Sequence, residues 1–145
     1  MMDWNNWLND GCQALGMQSG IVTVCCGRHL TVVHHADRCD LVVSGDSFDR
    51  ADTFCNQVMI GRNCVTYNAP AGFRERFRLG KMEIATSIQA YIGFPLIVRD
   101  TVFGTLSFSS TERKSEGFSA HDLFLVEMMA GDYVHYNLSP NQADL

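Results

Sequence analysis

The stretch from Ala90 to Phe108 constrains the fold more than any other part of the chain. Two runs rich in β-branched and aromatic residues, Ala90-Tyr91-Ile92-Gly93-Phe94-Pro95-Leu96-Ile97-Val98 and Thr101-Val102-Phe103-Gly104-Thr105-Leu106-Ser107-Phe108, flank the dipeptide Arg99-Asp100. Runs of this kind across so short a link read as a β-hairpin. Gly104 marks a place where a side chain would crowd a neighbour or a ligand. Pro95 cannot donate to a ladder, so its strand is an edge or bulged there.

The flanking segments add helices at both ends. Trp4, Trp7, Leu8, Cys12 and Leu15 recur at helical spacing, and Gly16 is a natural stop. Ile21 to Cys26 and Leu30 to His35, joined by Gly27-Arg28, predict a second hairpin. Asp37 to Asp49 reads mostly as loop. Ala51 to Ile60 has helical spacing with Gly61 to close it, and Cys64 to Tyr67 reads as a short strand. Phe73 to Leu79 reads as a basic helical turn or two stopped by Gly80. Ser119 and Asp122 form a capping box, with Phe118 placed to staple against Leu123. The closing helix runs to about Leu138, with an apolar face of Leu123, Val126, Ala130, Tyr133 and Val134. The class is α+β: a mainly antiparallel sheet backed by the terminal helices on one face.

No repeat, linker or charge block divides the 145 residues, so residues 1–145 are taken as a single domain. Hydrophobic residues at 46% and charged residues at 19% exclude a disordered or low-complexity chain. A net charge of −5 argues against nucleic acid as a partner, and no apolar run is long enough for a membrane span. Met1-Met2-Asp3-Trp4 lacks the features of a secretion signal, so the expectation is a soluble, cytoplasmic protein.

Six cysteines (Cys12, Cys25, Cys26, Cys39, Cys55 and Cys64) include no Cys-x-x-Cys pair, which disfavours a zinc ribbon or a thioredoxin-type site. Buried packing is the default for such thiols. His34 and His35 are neighbours on a strand and face opposite sides, so they cannot grip one ion; a polar strand end accounts for them. His121 and His135 are expected to be exposed. Arg74, Arg76, Arg78 and Lys81 form a basic run that faces either an anion or solvent. Tyr67, Phe73, Phe77 and Tyr91 suit either the wall of a flat apolar ligand's pocket or plain core. There is no Ser-His-Asp pattern, phosphate loop or paired carboxylate motif.

In their order and spacing the motifs resemble those of a GAF domain. Its carboxyl half is matched by Tyr91-Ile92-Gly93-Phe94-Pro95-Leu96-Ile97-Val98, by Val102-Phe103-Gly104-Thr105-Leu106-Ser107-Phe108-Ser109-Ser110, and by Phe118-Ser119-Ala120-His121-Asp122. Upstream, Gly45-Asp46-Ser47-Phe48 and Ala51-Asp52-Thr53-Phe54-Cys55 resemble the start of the family's ligand-side helix. Leu15-Gly16-Met17-Gln18-Ser19-Gly20-Ile21-Val22 resembles its first junction. The resemblance spans nearly the whole chain. It is similar to GAF domains beside kinase, cyclase or PAS modules in bacterial signalling proteins, sensor histidine kinases among them.

The resemblance implies a six-stranded antiparallel sheet with the terminal helices on one face and a ligand cavity on the other, closed by Asp46 to Gly80. It places Phe48, Phe54, Cys55, Tyr67, Phe73, Phe77 and Tyr91 as the ligand-binding residues. The implied job is sensory: a small-molecule ligand alters how the sheet packs against the terminal helices. Those helices form a parallel dimer stalk in relatives, so a homodimer and an adjacent output domain or kinase are the implied partners. No cofactor is named. Phe73 to Ala90 holds neither the Cys of a bilin site nor the His of a haem site, and the Asp-Glu pair of cyclic-nucleotide binders is missing. Two alternatives use thiols. One is a redox or iron–sulfur sensor built on Cys55 and Cys64; the other is a free methionine sulfoxide reductase with a cysteine nucleophile. The resemblance favours a non-catalytic module over either, with the other four cysteines as packing.

Overall fold

Asp3 opens the first helix, α1 (Trp4–Leu15), by accepting a hydrogen bond from the Asn6 amide at 3.1 Å, and Gly16 ends it in the left-handed conformation at φ 68°. The computed structural model describes residues 2–36, 43–69, 78–79, 82–83 and 88–138. After α1 come β1 (Ser19–Cys26), β2 (His29–His35) and β3 (Ser47–Asp49), then a 3₁₀ turn at Arg50–Asp52 and α2 (Cys55–Gly61). β4 (Val65–Asn68), β5 (Arg78–Leu79), β6 (Met82–Glu83), β7 (Ala90–Val98), β8 (Thr101–Ser110) and α3 (Ala120–Asn137) complete the order. The main sheet has six strands in the order β3-β2-β1-β8-β7-β4, every neighbouring pair antiparallel; β5 and β6 form a separate two-stranded ribbon.

Both hairpins expected from the sequence are present. The β7–β8 turn is made by Arg99 and Asp100 at φ 51° and 65°, the backbone twist that a two-residue hairpin link requires. β4 pairs with β7 only from Ala90 to Gly93, so Pro95 lies past the end of β4, where β7 has no partner on that side among the described residues. β8 is central. Its Gly104 packs so closely on β1 that a Cβ there would overlap the carbonyl of Thr23.

Strand alternation divides the apolar residues between two faces. On one, Val22, Ile92, Leu96, Leu106 and Phe108 pack with Leu8, Cys12 and Leu15 of α1 and with Val126, Met129, Ala130 and Tyr133 of α3. Phe108 lies in a slot lined by glycines: a Cβ at Gly11 would stand 2.7 Å from its ring and one at Gly20 2.8 Å. On the other face, Leu30 and Tyr91 pack with Cys55, Val58 and Met59 of α2 and with Ile88. Terminal helices therefore cover one face and α2 the other.

Several local expectations change. The stretch from Ala51 to Ile60 is not one helix, because the Asp49 carboxylate accepts from the Ala51 amide and the Thr53 hydroxyl donates to the Arg50 carbonyl. Together these close a 3₁₀ turn, and extended Thr53 separates it from α2. Gly61 stays helical; Arg62, at φ 56°, takes the left-handed cap. Asp37 to Asp49 is not loop throughout, since Ser47–Asp49 pairs with β2. The expected basic helix at Phe73 to Leu79 falls mostly outside the described residues, but its end, Arg78–Leu79, is strand, not helix. α3 begins at the expected capping box, both of whose hydrogen bonds form. Its buried face is Val126, Met129, Ala130 and Tyr133, while Leu123 is 36% exposed.

His34 is more than a polar strand end. It meets the Tyr133 ring edge-on, with centroids 5.6 Å apart, and lies 6.2 Å from Trp4, in an aromatic cluster that ties β2 to α1 and α3. Burial lowers its pKa below the ordinary 6.5. The unfolded chain therefore takes up the proton more readily. Stability from this site is fully present above pH 6.5 and is lost as pH falls through that value toward the lower folded pKa. Urea midpoints measured from about pH 7.5 to about pH 5 should fall in the wild type and fall less in His34→Phe. Equal slopes for the two proteins would assign the loss to other groups.

Candidate functional site

The α2 side of the sheet carries an unusual floor. Thr23 of β1 and Thr105 and Ser107 of β8 alternate with core residues, so their hydroxyls all point toward α2, and all three are buried. Thr23 and Thr105 hydroxyls are 2.8 Å apart. Thr105 donates to Cys55 Sγ at 3.3 Å, and Ser107 Oγ lies 3.9 Å from the same sulfur. Tyr91 Oη stands 3.4 Å from Cys55 Sγ, completing a buried chain of hydroxyls centred on one thiol. Such networks are stable only when each member is satisfied, which fixes the orientation of every group here.

Above that floor, Phe54 stacks on Tyr91 with ring centroids 4.8 Å apart and 21° between planes, and on Tyr67 at 5.5 Å and 31°. Gly93 makes this possible, because a Cβ there would stand 2.9 Å from the Tyr91 ring. Burial first, and then the neighbouring Cys55, push the Tyr91 phenol well above its ordinary pKa. Its hydroxyl therefore stays protonated and available as a donor. A cavity of about 20 Å³ opens beside it, lined by Ser19, Ile21, Phe54, Cys55, Ile88, Tyr91, Ser107 and Ser109. That volume admits about one water molecule.

Four of the seven ligand-binding residues expected from the sequence meet at this place: Phe54, Cys55, Tyr67 and Tyr91. Phe48 sits on β3 at the far edge of the sheet, paired with Leu30, and does not line the cavity. Phe73 and Phe77 lie outside the described residues, as do Arg74, Arg76 and Lys81. The hydroxyl floor was missed. Its signal is the alternation Thr105-Leu106-Ser107-Phe108-Ser109, which by itself reads as a strand with one face in water.

Cys55 and Cys64, paired in one of the expected alternatives, pack in different clusters. Cys55 belongs to the α2-side cluster, whereas Cys64 packs against the cluster under the terminal helices. Val65 and Tyr67 face α2, so the preceding residue points the other way. Burial, then the Glu127 carboxylate of α3, push the Cys64 thiol up, which disfavours the thiolate that a metal or an oxidant needs. Among the described residues no three His, Cys, Asp or Glu side chains gather as metal ligands. Of the cysteines expected to be packing, Cys12 is buried, Cys25 half-buried and Cys26 exposed; Cys39 lies outside the described residues.

A larger cleft, of about 620 Å³, lies elsewhere, between the end of α1, the end of β8 and the start of α3. It is open, and three of its ionic groups already serve the fold. Lys114 donates to the Leu15 carbonyl at the end of α1, Arg113 donates to the Ala69 carbonyl at 2.7 Å, and Asp122 serves the α3 cap. Asn68 holds both the amide and the carbonyl of Lys114, at 2.8 and 2.7 Å. The loop before α3 thus clasps the end of β4 to the end of α1, and the smaller cavity remains the better site.

Among solved structures, the GAF domain of a phosphoenolpyruvate-protein phosphotransferase from Acinetobacter superposes with a TM-score of 0.64 at 14% identity, covering 91% of this chain and 81% of that one. The type II free methionine-R-sulfoxide reductase of Thermoplasma acidophilum gives 0.64 at 12% identity, covering 88% and 84%. The second GAF domain of DevS from Mycobacterium smegmatis gives 0.57 at 20% identity, covering 88% and 82%. A comparison with curated proteins returns no match. Among the described residues no helix is long and apolar enough to cross a membrane. At these identities the superpositions speak for the fold alone, but residues 6–132 also match the sequence model of the GAF domain, and the chain belongs to the GAF domain family.

Proposed function

We propose that this GAF domain is a regulatory module that binds a small molecule on the α2 side of its sheet and passes the event to α1 and α3. One observation carries the reading: the buried chain of hydroxyls around Cys55, where a merely structural core would hold apolar side chains. Metabolite pockets are about 300 Å³ or more, so the cavity of about 20 Å³ is a closed state. A ligand that binds must select a conformation with the α2 side opened. β4 follows α2 directly, and the Asn68–Lys114, Arg113–Ala69 and Lys114–Leu15 hydrogen bonds lead from its end to the end of α1 and to the loop that runs on into α3. Movement of the α2 side therefore reaches the terminal helices, and through them an adjacent output domain.

The test is a thermal-shift screen with amino acids (including methionine sulfoxide), nucleotides and tetrapyrroles, run on the wild type and on Ser107→Val, whose one added heavy atom fills the water-sized cavity. A compound that binds the native state must raise the midpoint. The expected result is a shift in the wild type that the variant loses. If no compound shifts the wild type and Ser107→Val is the more stable protein, the cavity is a packing gap and the reading fails. A second reading, a thiol-based methionine sulfoxide reductase, rests on Cys55 Sγ lying at the cavity wall. It requires thiol-dependent turnover of free methionine sulfoxide that disappears in Cys55→Ser.

A further inference from the structure

Tyr91 does not stand away from its strand. It shares the α2 face with Gly93, two residues on along β7, and its phenol lies along the strand across that glycine. A Cβ on Gly93 would stand 2.9 Å from the ring. Phe54 stacks on the ring, and the phenol hydroxyl reaches Cys55 Sγ at 3.4 Å and hydrogen-bonds Ser107. One phenol thus fills the space between the sheet and α2, and only about 20 Å³ remains beside it.

The floor around the ring offers more polar contact than Tyr91 uses. β1 and β8 set Ser19 opposite Ser109, and β8 and β7 set Ser109 opposite Tyr91. Both serines line the cavity, and Ser19 is only 6% exposed. Neither hydroxyl makes a hydrogen bond among the described residues. A buried hydroxyl without a partner costs stability, and these two face the same gap. The described wall of that gap carries no charged side chain, so an ion entering it would lose its hydration without compensation.

We propose, building on the ligand reading above, that Tyr91 is a displaceable plug and that the ligand is an uncharged phenol-class ring. The ligand takes the seat over Gly93 when Tyr91 turns out. Strand side chains have two common χ1 positions, so the Tyr91 ring can leave Gly93 with the β7 ladder intact. The incoming ring stacks on Phe54, and its hydroxyl takes over the contacts to Cys55 Sγ and Ser107. A second polar substituent on it would reach Ser19 and Ser109. Because the plug must first move, the apparent affinity is lowered by the fraction of molecules in which the seat is open.

Calorimetric titration of the wild type, Tyr91→Phe and Tyr91→Ala with 4-methylphenol tests this, because a plug and a wall give opposite signs. 4-Methylphenol should bind the wild type. It should bind Tyr91→Phe about fivefold more tightly, since that plug has lost its hydrogen bond to Cys55. Tyr91→Ala, with no plug, should gain at least about tenfold. Toluene, which lacks the hydroxyl, and 4-hydroxybenzoate, which carries a charge, should bind each protein more weakly than 4-methylphenol. Tyr91→Phe keeps the ring and its packing, so the comparison holds even where the alanine variant does not fold. Equal or weaker binding to Tyr91→Phe makes Tyr91 a wall residue and overturns the proposal. So does 4-hydroxybenzoate binding as tightly as 4-methylphenol. If 4-methylphenol does not bind the wild type while another compound of the screen raises its midpoint, the plug is overturned and the ligand reading stands.

Discussion

Gly104→Ala is expected to destabilise the protein by about 4 kcal/mol, among the largest effects available to a single methyl group. The added Cβ would stand 2.7 Å from the carbonyl carbon of Thr23 and 2.9 Å from the Cα of Val24. These are backbone atoms of β1, which cannot rotate aside as a side chain would. Relief requires β1 and β8 to separate, and with them the Val22–Leu106 and Thr23–Thr105 pairs. Equilibrium urea unfolding measures the change. A loss under about 1 kcal/mol would mean that the two central strands are not held as closely as described.

Phe108→Ala is the second. The ring is fully buried and bridges α1 to the sheet, and truncating such a residue costs about 3–5 kcal/mol. Its slot offers a sharper check than the size of the loss. Gly20→Ala alone places a Cβ 2.8 Å from the ring and should destabilise. In the Phe108→Ala background the same methyl group enters vacated space, so its effect should vanish or reverse. The coupling expected for residues in contact is about 0.5–3 kcal/mol. Additive effects would show that the ring and Gly20 do not share a slot.

Much of the fold is legible in the sequence because its signals are local. The spacing of Leu8, Cys12 and Leu15, the Arg99-Asp100 link and the Ser119–Asp122 box each state their element without reference to the rest. Phe54, Tyr67 and Tyr91 stack together on the α2 side, a grouping that the resemblance implies and the residues by themselves leave open between pocket wall and plain core. What was not legible depends on parity and on what covers a face. Thr105 and Ser107 alternate with Leu106 and Phe108 in a pattern suited to a solvated face, and only α2 lying across it turns those hydroxyls inward. The separation of Cys55 from Cys64 follows from strand parity once Tyr67 is known to face α2. Sequence distance alone, nine positions apart, says nothing of it. The split of Ala51 to Ile60 is a competition between helix propensity and the Asp49 and Thr53 side chains, which offer the backbone other partners.

The strand order also sets the tempo of assembly. β1–β2 and β7–β8 are hairpins whose strands are neighbours in sequence, so each forms early and independently. The seam that unites them, β1 against β8, joins Val22 to Leu106 and must enclose almost the whole intervening chain. Its loop-closure entropy is spent before any of its contacts is won, which places the β1–β8 seam late in folding. Lengthening the enclosed segment raises that entropy only logarithmically, so loops on the α2 side can grow or change with little effect on the folding rate.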